Sequence, residues 1–162
     1  MISRIAIAVL LILALASTGF SMEIDAVLVE KAKRKMHLLS KGTVVKTYDI
    51  SLGDRPEGHK LQQGDERTPE GRYIIDYRNP KSAYHLSLHI SYPNRRDRER
   101  ARQRGIDPGG LIMIHGLPNG YPWAGPLLKG RDWTDGCIAV DNKAIEEIWA
   151  LVKDGTSIDI KP

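Results

Sequence analysis

Residues 133–160 read WTDGCIAVDNKAIEEIWALVKDGTSIDI, and their pattern changes twice. Asp141 is a good helix-capping residue, and after it Ile145, Ile148, Trp149 and Val152 recur at i, i+3, i+4 and i+7, the spacing of one apolar helical face. With Gly155 as a stop signal, this predicts a helix over 142–153. Thr156 to Ile160 then alternates as a strand does. Ahead of the helix stands a polar, glycine-bearing turn that ends on Cys137.

Further upstream the chain is mostly strand. Ile24 to Glu30 and Met36 to Leu39 read as short strands, and Lys41-Gly42 turns the chain into a third, Thr43 to Leu52. Gly53 to Glu70, rich in Gly, Pro and charge, reads as a loop, and Gly71 to Tyr77 as a further strand. In Tyr84 to Tyr92 the alternation is cleaner: Leu86, Leu88 and Ile90 share a core face, with His85, Ser87 and His89 opposite. Leu111 to Ile114 is a compact apolar run, entered through Pro108-Gly109-Gly110 and delivering His115 at its tip. Leu117 to Gly136 has no clear period, yet Pro118, Pro122, Trp123, Pro126 and Trp133 argue for an ordered loop, a candidate lid. No repeat and no βαβ alternation is present, which favours a single β-rich α+β domain over a doubly wound sheet.

The beginning of the chain sets the compartment. Arg4, the unbroken apolar run Ile5 to Ala16 and the small residues up to Ser21 form the pattern of a secretory signal peptide. A leader over 1–21 and a folded domain over 22–162 are therefore expected, in an exported and periplasmic setting with the leader cleaved. An uncleaved membrane anchor is the alternative, but this run is well short of the about 20 residues that span a bilayer. Export gives weight to the cysteine count. With Cys137 alone, no intrachain disulfide can form, so this thiol is a buried small hydrophobe, is paired with another molecule, or is a chemical group. It has no resolving partner for redox exchange.

The net charge of +4 is concentrated in six arginines between Arg95 and Arg104, set against Asp97 and Glu99. Such a run could hold an anionic polymer, but its alternation with acids is that of a solvated helix, and no interleaved aromatics point to nucleic acid. His85 and His89 would lie about 13 Å apart along a strand, too far for one metal ion. Neither a metal nor a cofactor is expected.

Chemistry converges on Cys137. Gly136 lets a backbone approach closely, and the turn could aim the Gly136 and Cys137 amides at an oxyanion. A thiol needs a partner for its proton, and His115, at the end of a buried strand, is the best placed, with the Gly116 carbonyl or a loop acid to orient it. His37 and His59 lie in charged stretches expected to be exposed. His89 could look into the site or be structural.

His115-Gly116 followed by Thr134-Asp135-Gly136-Cys137 resembles the L,D-transpeptidase catalytic (YkuD-type) domain. Thr68-Pro69-Glu70-Gly71, Ser51-Leu52-Gly53 and Ser91-Tyr92-Pro93-Asn94 fit the same family, over about 24 to 161. Asp135 and Ala139 depart from its commonest pattern and resemble a YafK-like branch. The resemblance implies an L,D-transpeptidase-like mixed sheet or sandwich with a long active-site loop and a C-terminal helix. It implies attack by Cys137 on a peptidoglycan stem peptide, a thioester, and His115 as base, with His89, Tyr92, Trp133, Thr134 and Asp135 as candidate substrate contacts. An amine acceptor would give cross-links or anchor a wall-linked lipoprotein. A water acceptor would make the enzyme a hydrolase of cross-links or of the lipoprotein bond, the alternative reading. A non-catalytic wall-binding module is a third, and no obligate protein partner is called for.

Overall fold

The computed structural model describes residues 23–162. The expected leader over 1–21 lies outside the described residues. Eight strands form one mixed sheet: β1 (Ala26–Glu30), β2 (Lys35–Ser40), β3 (Thr43–Asp49), β4 (Gly71–Ser82), β5 (His85–Ile90), β6 (Met113–His115), β7 (Ile138–Ala139) and β8 (Ser157–Lys161). Their spatial order is β3-β2-β1-β8-β4-β5-β6-β7. The pairs β1–β8 and β6–β7 are parallel, and the others antiparallel.

β4 joins the two halves of the sheet. Gly71 to Ile74 pairs with β8, while Ile75 to Ser82 pairs with β5 across two register shifts, so this one strand turns the sheet back on itself. Beyond β3 the chain reaches the opposite edge. Ser51 exchanges two backbone hydrogen bonds with Ala139, each 2.9 Å, and Gly53 bridges to Thr134. The sheet edge that carries the cysteine is thereby paired by the segment after β3.

Alternation fills the core as expected. Val27 and Val29, Met36 and Leu38, Leu88 and Ile90, and Ile158 and Ile160 are buried at every second position, and Ile145 and Ile148 join them from α3 (Asn142–Leu151). Asp141 caps that helix through its side chain, which accepts from Ala144 N at 2.7 Å. The helix stops at Leu151 rather than Lys153. Gly155, at φ +94°, serves the turn into β8 instead. The arginine run forms α1 (Arg95–Arg104), closed by a capping box between Asn94 and Asp97 and by Gly105 in a left-handed conformation.

Three expectations are corrected. Leu111 is not part of a buried strand: it is 73% exposed at φ +55°, because the Pro-Gly-Gly turn continues through it and β6 begins only at Met113. The expected loop over 117–136 contains a 3-10 turn (Pro122–Ala124) and a short helix α2 (Gly125–Leu128). His37 and His59 are half-buried, because each is held by a carboxylate, Glu30 and Asp97 respectively.

Candidate active site

Strand register builds the site. Ile114 pairs with Ile138 and His115 with Ala139, so the chain entering β7 brings Cys137 level with Met113. Met113 N–H donates to Cys137 Sγ at 3.4 Å, and Sγ stands 3.6 Å from the Leu111 carbonyl oxygen. On the other side, His115 pairs with Ser87. Side chains directly opposite one another in register share a face, which places Ser87, His115 and Ala139 together.

His115 is 3% exposed, and its Nδ1 lies 2.7 Å from the Gly116 oxygen. A carbonyl only accepts, so Nδ1 carries the hydrogen and Nε2 is left with a free lone pair. Tyr84 and Trp133 wall the imidazole at centroid distances of 4.5 and 5.7 Å. Among the described residues the thiol bonds to backbone alone, with no direct hydrogen bond to the imidazole.

Burial lowers the His115 pKa below the ordinary histidine value, with the Gly116 carbonyl opposing. Burial also pushes the Cys137 thiol up; Asp135 adds to this, while the Met113 amide and Lys60 pull the other way. At rest both groups are therefore neutral at neutral pH. The two groups are not a preformed ion pair, but a protonated thiol and an unprotonated imidazole on one face of the sheet.

The surrounding backbone is crowded around two glycines. At Gly136, φ is +126° and a Cβ would stand 2.6 Å from the Arg67 carbonyl oxygen; at Gly53 it would meet the Glu66 oxygen at 2.0 Å. Thr68 Oγ1 accepts from Gly53 N at 3.1 Å, and Thr134 Oγ1 donates to the Cys137 oxygen at 2.8 Å. The Gly136 amide donates to that same Thr134 hydroxyl at 3.2 Å, so it braces the turn and is not aimed at an oxyanion. Gly116 is equally confined: a Cβ there would lie 2.6 Å from Asn142 Oδ1, which accepts from Leu117 N at 2.8 Å.

Sequence reasoning missed several supports. Asp132 accepts from Leu52 N at 2.9 Å and from Arg34 Nη2 at 2.7 Å, fixing the loop just before Trp133. Lys31, 3% exposed, donates to the Thr68 carbonyl and to Glu70, holding the Thr-Pro-Glu-Gly turn. Nothing local marks these residues, since their partners lie 37 to 98 positions away.

The other candidates divide. Trp133 and Thr134 are at the site, and Asp135 is exposed beside it. His89 pairs in register with Met113, but its ring is stacked on Tyr77 at 4.4 Å and bonded to Asp76 at 2.6 Å. Tyr92 is not brought to the site. It is buried, with its hydroxyl 3.0 Å from the Pro108 oxygen and its ring edge-on to Tyr73. A cleft of about 680 Å³ opens beside the thiol site under the 122–130 segment, with Trp133 and Ala139 in its wall. No group of three His, Cys, Asp or Glu that could hold a metal ion occurs among the described residues.

A family model described as the L,D-transpeptidase catalytic domain (YkuD) matches residues 24–160. YafK of Escherichia coli K12, provisionally named an L,D-transpeptidase, is 32% identical over 108 residues, which is 65% of this chain and 36% of YafK. The crystal structure of the helical cell shape determining protein Pgp2 from Campylobacter jejuni superposes with a TM-score of 0.64 at 25% identity, covering 85% of this chain and 47% of that one. The L,D-transpeptidase of Xylanimonas cellulosilytica shares the fold at 15% identity, with a TM-score of 0.56 over 86% of this chain and 61% of that structure. The chain thus spans under half the length of YafK and Pgp2.

Proposed function

The chain belongs to the L,D-transpeptidase catalytic domain family, and from that premise we propose that it is an exported cysteine acyltransferase acting on peptidoglycan stem peptides. The observation that carries this reading is the register of β6 and β7, which puts Cys137 on the Met113 amide and His115 two residues along the same face of that strand. Neutral His115 takes the thiol proton at Nε2 as Sγ bonds to the scissile carbonyl carbon. Collapse of the tetrahedral species breaks the C–N bond, and the leaving D-amino acid takes that proton from the imidazolium. A thioester on Cys137 remains. An incoming amine then attacks the thioester carbonyl and yields its proton to His115. The C–S bond breaks, and the thiolate is reprotonated from His115. Tyr84 and Trp133 keep water from the imidazole and fix its plane.

One feature favours water as the acceptor in place of the amine. Ala139, where the family's common pattern has a basic or amide side chain, is buried and offers no polar group to grip an acceptor. Incubating the purified protein with disaccharide tetrapeptide separates the outcomes by product mass. A cross-linked dimer identifies transpeptidation, and disaccharide tripeptide with released D-alanine but no dimer identifies hydrolysis. Unchanged substrate, with sacculi carrying bound lipoprotein also left intact, would refute the assignment.

A further inference from the structure

A second cleft, of about 660 Å³, lies between α1 and the β4–β8 pair and shares no lining residue with the thiol site. Arg96 and Arg100 enter it from α1, Arg72 from β4 and Lys161 from β8. The two helix arginines are four positions apart, so they point to one side of α1. Among the described residues, Arg72, Arg96 and Arg100 form no ion pair or side-chain hydrogen bond. Their neighbours in the run differ: Arg98 is spent on the Pro93 carbonyl and Arg102 on Glu99.

The acids bordering the cleft are already committed. Asp97 is 5% exposed and accepts from Tyr73 Oη at 3.0 Å, His59 Nε2 at 3.1 Å and Asn94 N at 3.0 Å. Glu70 is paired with Lys31 at 2.8 Å. Asp159, 4.0 Å from Lys161, offsets one of the four cations. Among the described residues none of the three arginines therefore has a direct ion-pair partner, and the ionised Asp97 with Asp159 offsets only two of the four cations of the cleft. Guanidinium forks match carboxylates in bidentate fashion, and a cavity of this size takes a chain segment rather than a single small anion.

We propose that this cleft is a non-catalytic site that holds the free carboxylates of stem peptides on the wall polymer, retaining the enzyme on its insoluble substrate while the thiol acts elsewhere on it. The identity of the occupant rests on the function proposed above; the site itself rests on the converging arginines.

The test uses purified protein carrying Cys137→Ser, so that binding is read without turnover, in co-sedimentation with purified sacculi. Arg96→Gln with Arg100→Gln should weaken binding by roughly tenfold or more, since each removes a charge-assisted contact. Arg98→Gln with Arg102→Gln, an identical change in charge, should leave it near the parent value. Carbodiimide amidation of the sacculus carboxylates should abolish the difference between the two double variants. Equal loss in both double variants, no loss in the first, or a difference between them that survives amidation would each overturn the proposal. Because catalysis is silenced throughout, failure of the enzymatic reading shows separately, in the product assay with the unaltered thiol.

Discussion

Replacing Gly136 with Ala tests how the cysteine turn is held. At φ +126° the backbone is in a region that side-chain-bearing residues enter at a cost of about 1–3 kcal/mol. The added Cβ would also stand 2.6 Å from the Arg67 carbonyl oxygen and 3.3 Å from Ile112 Cδ1. Relieving such an overlap typically costs a further ~1–3 kcal/mol. Reduced freedom of the unfolded chain returns about 0.4–1 kcal/mol. The net expectation is a loss of roughly 1–5.5 kcal/mol, read as a shift of the urea midpoint at constant slope. Gly120→Ala is the control: φ is +83° but nothing lies within 4 Å of the new Cβ, so the backbone cost of about 1–2 kcal/mol applies without any overlap, less the same unfolded-state return of about 0.4–1 kcal/mol. If Gly136→Ala proves no more damaging than Gly120→Ala, the close approach of the turn to Arg67 is not what positions Cys137. A variant that stays folded should also alkylate at Cys137 at an altered rate, since the Met113 contact depends on the same turn.

Cys137→Ser should abolish stem-peptide turnover with little change in the urea midpoint, and substantial turnover by the folded variant would reject the nucleophile. His115→Ala should slow turnover by roughly 10²- to 10⁴-fold, and raising the pH should restore alkylation of Cys137 but not turnover, because hydroxide makes thiolate without supplying a positioned base. In the unaltered enzyme, activity should rise with pH through a value below the ordinary histidine pKa of about 6.5, as burial of His115 requires; an inflection above it would contradict the buried neutral imidazole. His89→Ala should leave alkylation within about twofold, and a loss matching that of His115→Ala would reassign the base. Asp97→Ala should cost about 1–3 kcal/mol by removing the acceptor of His59 Nε2 and of the Asn94 amide and one of the two acceptors of Tyr73 Oη. Burial raises the Asp97 carboxyl, but bonds from His59, Asn94 and Tyr73 outweigh it and leave the folded pKa below the ordinary value. The unfolded chain therefore binds the proton first as pH falls, so this stabilisation is in force above about pH 4 and fades below it; a wild-type-minus-variant difference that grows under acid would refute the pairing.

Local signals were legible where one element carried its own pattern. Asp141 with the i, i+3, i+4, i+7 stripe gave α3, and the alternation of Leu86, Leu88 and Ile90 gave β5. What depended on distant partners was not. Nothing in 26–30 or 157–161 shows that they pair in parallel at the middle of the sheet, and Asn79-Pro80 looks like a strand end although β4 runs on to Ser82. Asp97 passed as one more alternating charge in a solvated run. It is instead the buried anchor of α1, and only its i+3 relation to Asn94 hinted at the capping box. At the site, His115 and Cys137 stood out as residue types, while Asp132, Lys31 and Asn142 act through contacts that only the fold creates.

The resting protonation state suits the proposed exported setting. Thiol oxidation proceeds through the thiolate, and outside the cytoplasm a lone cysteine has no reducing pool to restore it. A nucleophile kept as a permanent ion pair with histidinium would be reactive continuously. Here burial drives the two groups apart in the protective direction, the imidazole toward neutrality and the thiol toward protonation. In the proposed mechanism, proton transfer then becomes favourable only when the charge it creates is met by an electrophilic carbonyl at Sγ. Asp135 reinforces this bias by raising the thiol further, while the Met113 amide, donating directly to sulfur, supplies part of the stabilisation that the forming thiolate needs. In the proposed mechanism, reactivity is coupled to substrate occupancy by the same β6–β7 register that brings the two residues to one face.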